Sequence, residues 1–213
     1  MKGYQFLVTL NYVKPKVWRR IVVPVTLDFY DLHSVIQTST GWTNSHLFNF
    51  SIEDSTNNKT IELVGDEESV IENFGMAQHY MKNPPEKGSF ADEMYQRFIR
   101  VQLLLARDVD LTQYVIDSPE FRYMYDFGDG WEHEVIMEKV VEDYEYDYPQ
   151  VLEGKGTCPP EDVGGPPGYD EFKRVMKDKE DPEHSHMKEW AKEQGYKKFN
   201  LSKVNEYLKE EWV

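Results

Sequence analysis

A chain of 213 residues, 39% hydrophobic and 30% charged, is long enough to bury a core without staples, and its single cysteine, Cys158, excludes an intrachain disulfide framework. The 39 acidic and 24 basic residues give a formal net charge of −15, which disfavours non-specific nucleic-acid binding because such a surface repels phosphate backbones. The opening MKGYQFLVTLNYV has no continuous apolar stretch or small-residue cleavage site, and no apolar run approaches the ~20 residues of a membrane span, so the expectation is a soluble, cytoplasmic protein with no membrane partner.

Tyr4, Phe6, Val8, Leu10 and Tyr12 alternate with Gln5, Leu7, Thr9 and Asn11, a period of two that predicts a half-buried strand. Lys14-Pro15-Lys16 is a turn, and Val17 to Val23 reads as the partner strand, ended by Pro24. Lys14, Lys16, Arg19 and Arg20 crowd this hairpin, and a solvated turn is preferred over a basic patch. Thr26 is the expected N-cap of a helix over 27–39, with Leu27, Leu32, Val35 and Ile36 as its apolar stripe and Gly41 at the C′ position.

His46, Phe48, Phe50 and Ile52 alternate as a third strand; Asp54 to Lys59 is a polar turn, and Thr60 to Val64 returns as a fourth. Trp42 and His46 are expected to pack against the first hairpin as core. From residue 65 to 97 the pattern weakens, and the segment is a candidate insertion. Val101 to Ala106 reads equally as strand or helix, and Leu111 to Ile116 as one or two helical turns. Phe121 to Tyr125 and Trp131 to Val141 form a hairpin around Asp126-Phe127-Gly128-Asp129-Gly130. Residues 149–168 hold five of the eleven prolines and five of the thirteen glycines and read as a long ordered loop. Helices are expected over Tyr169–Lys177, Pro182–Lys192 and Leu201–Glu211. The fold class is α+β: one domain over 1–213, an antiparallel sheet built from hairpins and covered by helices, with a helical C-terminus.

Two dense segments carry the candidate chemistry. FRYMYDFGDGWEHEV (121–135) and GTCPPEDVGGPPGY (156–169) concentrate Asp126, Asp129, Glu132, His133, Glu161 and Asp162, an inventory suited to metal ligation or acid/base work. Asp126, Asp129, His133, Glu161 and Asp162 are the catalytic candidates; Trp131, Glu132, Gly164 and Gly165 are candidate ligand-binding positions. The competing reading makes Asp126 and Asp129 turn caps and His133 a satisfied core histidine. A nucleophilic role for Cys158 needs a base and a lowered pKa that the sequence does not display. There is no HExxH and no phosphate loop.

VWRRIVVP (17–24), DLHSVIQTSTGW (31–42) with HLFNF (46–50), YDFGDGWEHEV (125–135) and CPPEDVGGPPGY (158–169) occur in the order in which the plasmid pRi ORF-3-like family carries them. The chain resembles that family over residues 4 to about 208. Its members are also described as insertion-element passenger proteins of a resolvase-named type, although this chain carries no serine-recombinase motif. The resemblance implies a compact α+β domain in which the two dense motifs meet; it supplies no activity and no catalytic residue. Three functional readings stand. The first is an interaction or ligand-binding module, associated with mobile DNA, whose cleft lies between the 126–133 hairpin and the 159–165 loop. The second is a metal-assisted hydrolase built on the five candidates, and the third is a purely architectural role for both motifs. A protein or a small ligand is favoured as partner over non-specific nucleic acid, and the sequence by itself names no cofactor and no metal.

Overall fold

The computed structural model describes residues 1–54 and 59–213. The strands are β1 (Gly3–Leu10), β2 (Val17–Pro24), β3 (Phe48–Asp54), β4 (Lys59–Val64), β5 (Val101–Leu105), β6 (Glu120–Tyr125), β7 (Trp131–Val141) and β8 (Gln150–Lys155). They form one sheet in the order β5-β4-β3-β6-β7-β1-β2-β8, antiparallel throughout except for the parallel pair β4–β5. The helices are α1 (Phe29–Thr40), α2 (Glu67–Lys82), α3 (Phe90–Arg100), α4 (Gly165–Lys177), α5 (His184–Glu193) and α6 (Leu201–Trp212). The architecture is α+β, as the sequence pattern implies, and no helix among the described residues is long and apolar enough to cross a membrane.

The parallel pair explains the segment with the weakest pattern. Parallel neighbours need a crossover connection, and α2 and α3 supply it between β4 and β5. Neither helix has a fully buried residue; they pack on each other through Tyr80, Tyr95 and Phe98. Of the undecided 101–106 segment, Val101–Leu105 is a strand because its backbone completes the sheet edge beside β4, and Ala106 opens a 3-10 turn.

The first helix is capped by Asp28, not Thr26: Asp28 and Asp31 form a reciprocal capping box, and Gly41 ends the helix in the left-handed region at φ +88°. Its inner stripe, Phe29, Leu32, Val35 and Ile36, is completely buried. Phe29 meets Phe50 and Phe121 edge-on at 5.3 and 5.8 Å, so aromatic rings fill the space between helix and sheet. Buried among them, His33 stacks on Phe48 at 3.6 Å and bonds the Tyr123 hydroxyl (2.7 Å) and Asn44 Oδ1 (2.8 Å).

The 149–168 segment is not irregular throughout. Residues 150–155 form β8, the edge strand beside β2, and α4 begins at Gly165 with prolines in its first turn, leaving an irregular loop of 156–164. Helix α6 covers this edge: Asn205 accepts from Val151 N (2.8 Å) and donates to Val151 O (2.9 Å). The basic cluster of the first hairpin is divided. Arg20 pairs with Glu138 (2.8 Å) and Glu153 (2.7 Å), Lys14 and Lys16 are exposed, and Arg19 is 2% exposed in the interior. The expected 54–59 turn falls largely on residues 55–58, outside the described residues.

Candidate functional site

The hairpin loop and the proline-rich loop meet at one end of the sheet. Strand β6 ends at Tyr125 and β7 begins at Trp131, and alternation along β7 buries Trp131, His133 and Val135 while leaving Glu132 and Glu134 outside. Asp126 leaves β6 in the left-handed region (φ +55°), a conformation that Asp tolerates because its short side chain bonds nearby amides. Its Oδ1 accepts from Gly128 N (3.0 Å) and Asp129 N (3.3 Å), and its own N–H donates to Leu47 O (2.9 Å).

The proline-rich loop is clamped onto this turn residue by residue. Trp42 Nε1 donates to Pro159 O at 2.9 Å. Glu161 is buried; it accepts from the Tyr125 hydroxyl, from the Thr43 hydroxyl and from Thr43 N (3.1 Å). Burial, and then the Glu161 carboxylate, push the Tyr125 hydroxyl well above its ordinary range, so it stays a donor. Asp129 Oδ2 accepts from Gly164 N at 3.1 Å, placing a side-chain carboxylate where the start of α4 favours an anion. Gly165 has φ +68°, and a Cβ there would lie 2.4 Å from Asp129 O.

Of the five catalytic candidates, Asp126 and Asp162 converge; the other three have separate structural partners. Asp129 caps α4 and Glu161 holds Tyr125 and Thr43. His133 lies in the aromatic layer beneath, its ring 5.5 Å from Trp42 and 5.2 Å from Tyr123, with Nδ1 bonded to Trp131 O (3.1 Å). Burial pushes the His133 pKa down to about 4, so the ring is neutral. Its Nε2 and the Trp131 indole N–H are buried without a hydrogen-bond partner among the described residues. Glu132 lies on the opposite face and accepts from Asn11 Nδ2 at 3.0 Å. Gly164 and Gly165 serve the contact with Asp129.

The third member of the convergence is His46. It precedes β3 rather than lying within it, so it does not share the strand's buried face. Its Nε2 stands 3.3 Å from Asp162 Oδ1 and 3.7 Å from Asp126 Oδ2. One ligand atom from each of His46, Asp126 and Asp162 lies within 4.8 Å of the others. Two ligands bound to a tetrahedral ion at ~2.0–2.2 Å are about 3.3–3.6 Å apart; the His46–Asp162 spacing of 3.3 Å falls in that range and the His46–Asp126 spacing of 3.7 Å lies just beyond it. His46 Nε2 is itself buried and without a hydrogen-bond partner among the described residues, close to both carboxylates and hydrogen-bonded to neither. Both carboxylates come from left-handed residues: Asp162 has φ +58°. A histidine and two carboxylates form a donor set suited to Zn²⁺ or Mn²⁺ and leave coordination positions for water or substrate. In the sequence His46 reads as the first member of the His46–Ile52 alternation, on the same face as Phe48 and Phe50, and that pattern does not separate a ligand from a core residue.

Comparison with known proteins agrees with the motif pattern. The family model described as plasmid pRiA4b ORF-3-like protein matches residues 2–206. The uncharacterized protein y4hQ of Sinorhizobium fredii (strain NBRC 101917 / NGR234) is 36% identical over 202 residues, covering 93% of this chain and 86% of the relative. The crystal structure of MM3350 from Methanosarcina mazei Go1, titled a protein of unknown function, superposes with a TM-score of 0.67 at 27% identity, covering 89% of each chain.

Proposed function

The chain belongs to the plasmid pRiA4b ORF-3-like family, and for this member we propose a ligand-binding module whose ligand is a divalent metal ion held by His46, Asp126 and Asp162. The observation that carries this reading is the buried His46 Nε2, without a hydrogen-bond partner among the described residues and standing 3.3 and 3.7 Å from two carboxylate oxygens. Two carboxylates held close together repel; a dication removes that repulsion and satisfies the imidazole nitrogen in the same step. The clamp around Glu161, Asp129 and Trp42 fixes the loop carrying Asp162 onto the turn carrying Asp126, which is how a site is preorganised.

A second reading, metal-assisted hydrolysis, is supported by the exposure of the Asp162 side chain, 64%, against 10% for Asp126. An ion held from one side keeps open positions, and in one of them it lowers the pKa of a bound water. The net charge of −15 supports a small or protein ligand over non-specific nucleic acid for either reading.

Thermal melts of chelator-treated protein with Zn²⁺, Mn²⁺ and Mg²⁺ test the proposal. An ion at a hundred times its Kd stabilises the fold by about 2.7 kcal/mol, a shift of roughly 5–10 °C for a chain of this size. The shift is expected to vanish in His46→Ala and Asp126→Asn. A melt that none of the ions raises, or a full shift retained in His46→Ala, overturns the proposal.

A further inference from the structure

The VWRRIVVP motif and Cys158 play no part in the metal centre, yet both line one cavity. It measures about 200 Å³ and lies between the end of α1, Cys158 and the 197–207 stretch that leads into α6. Arg19, Lys197, Lys198 and Lys203 line it, and none of the residues lining it is an Asp or Glu. In a chain of net charge −15, four cations around one cavity without a carboxylate is the reverse of the overall balance. None of the four has an ion-pair partner among the described residues. The acid nearest to the cavity by bonding is Glu211, which accepts from Thr38 at 2.9 Å on its exposed rim.

Arg19 is the interior member. Its guanidinium donates to Ser39 O (2.9 Å), Trp18 O (2.8 Å), Lys155 O (3.0 Å), Gly156 O (3.2 Å) and Cys158 Sγ (3.4 Å), and it lies 3.9 Å from the Phe199 ring centroid. Its N–H groups are all engaged, so it contributes positive potential to the wall rather than a contact. Gly154 leaves the room for this stack: a Cβ there would lie 2.8 Å from Arg19 Cδ and 3.0 Å from Phe199. The three lysines are exposed; Lys197 Nζ lies 5.7 Å from the Tyr207 ring centroid, and Lys198 and Lys203 have no ion pair or ring contact among the described residues. Phe199 and Tyr207 add aromatic faces to the wall, and Thr38, Ser39, Thr40 and Asn200 add neutral polar groups.

We infer that this cavity binds a small organic anion, with a phosphate or carboxylate head held by Lys197, Lys198 and Lys203 and an apolar body lying against Phe199 and Tyr207. A low-dielectric wall carrying a buried cation raises the local positive potential and selects for negative charge. The aromatic rings add a face that favours planar groups.

The test uses the full chain in chelator-containing buffer, so that the metal centre plays no part, with calorimetric titration of phenyl phosphate and benzoate and with benzyl alcohol as the uncharged control. Saturable binding of at least one anion is expected, identifying the head group, with benzyl alcohol silent. Lys198→Gln and Lys203→Gln should each weaken binding about tenfold, the usual loss of a charge-assisted hydrogen bond. Raising salt from about 0.05 to 0.5 M should weaken it several-fold. His46→Ala should bind the anion unchanged, which separates this site from the metal reading. No saturable binding of either anion at millimolar concentration, equal binding by the lysine variants, or equal binding of benzyl alcohol overturns the inference.

Discussion

Gly165→Ala tests how the proline-rich loop is seated. The backbone at Gly165 has φ +68°, and an added Cβ would lie 2.4 Å from Asp129 O, a backbone atom that cannot step aside without moving the hairpin turn. Left-handed backbone in a residue with a side chain costs roughly 1–2 kcal/mol, and overpacking adds about 1–3 kcal/mol. The sum, about 2–5 kcal/mol, corresponds to a fall in Tm of roughly 4–20 °C for a domain of this length. Gly41→Ala is the matched control, since Gly41 has φ +88° but a Cβ added there would meet nothing within 4 Å. It bears the backbone cost alone, about 1–2 kcal/mol. Urea and thermal unfolding of both variants under identical conditions isolate the contact as the difference between them. Equal stability of the two variants would refute the claim that the loop is seated directly on the Asp129 carbonyl.

The buried histidines make stability pH-dependent. Burial holds His33 and His133 at about 4, below the unfolded value of 6.5, so between these pH values the unfolded chain binds more protons. Stability is therefore expected to fall as pH drops from 6.5 to 4, by roughly 3 kcal/mol per histidine; His133→Gln should flatten the melting profile across this window, and an unchanged slope would contradict the assignment. Burial pushes the Cys158 thiol up to about 11, against the opposing pull of Arg19. The folded protein should therefore react with an aromatic disulfide reagent at pH 8 far more slowly than the denatured chain; comparable rates would show that the thiol is accessible.

What the sequence displayed, and what it hid, follows from where each element buries its surface. Strands β3 and β7 show their period of two because alternate side chains enter the aromatic layer under α1; β1, expected to be half-buried, alternates in sequence but is buried on both faces, Gln5 and Thr9 included, where it runs between β7 and β2. Helix α1 was legible from Leu32, Val35 and Ile36 and from Gly41, although Asp28 rather than Thr26 caps it. Helices α2 and α3 bury no residue completely, although α3 carries Phe90, Met94 and Phe98 at helical spacing, and the parallel pairing of β4 and β5 gives them their place as the crossover. The edge strand β8 was obscured because its sequence, QVLEGK, exposes Leu152 and includes a glycine. At the site, motif density located the two loops and two of the three converging side chains. His46 comes from a separate part of the chain, and its role depends on a tertiary meeting that no local spacing encodes. Asp129, Glu161 and His133 carry the same residue chemistry as true ligands, and their partners, Gly164, Tyr125 and Trp131, are what assign them to structure.

The most direct test of the metal centre is diffraction at the absorption edge from crystals grown with Zn²⁺ or Mn²⁺. One dominant anomalous peak is expected about 2.0–2.2 Å from His46 Nε2, Asp126 Oδ2 and Asp162 Oδ1. Saturating ion in solution with no peak among these three atoms, or a peak placed on other residues, would contradict it.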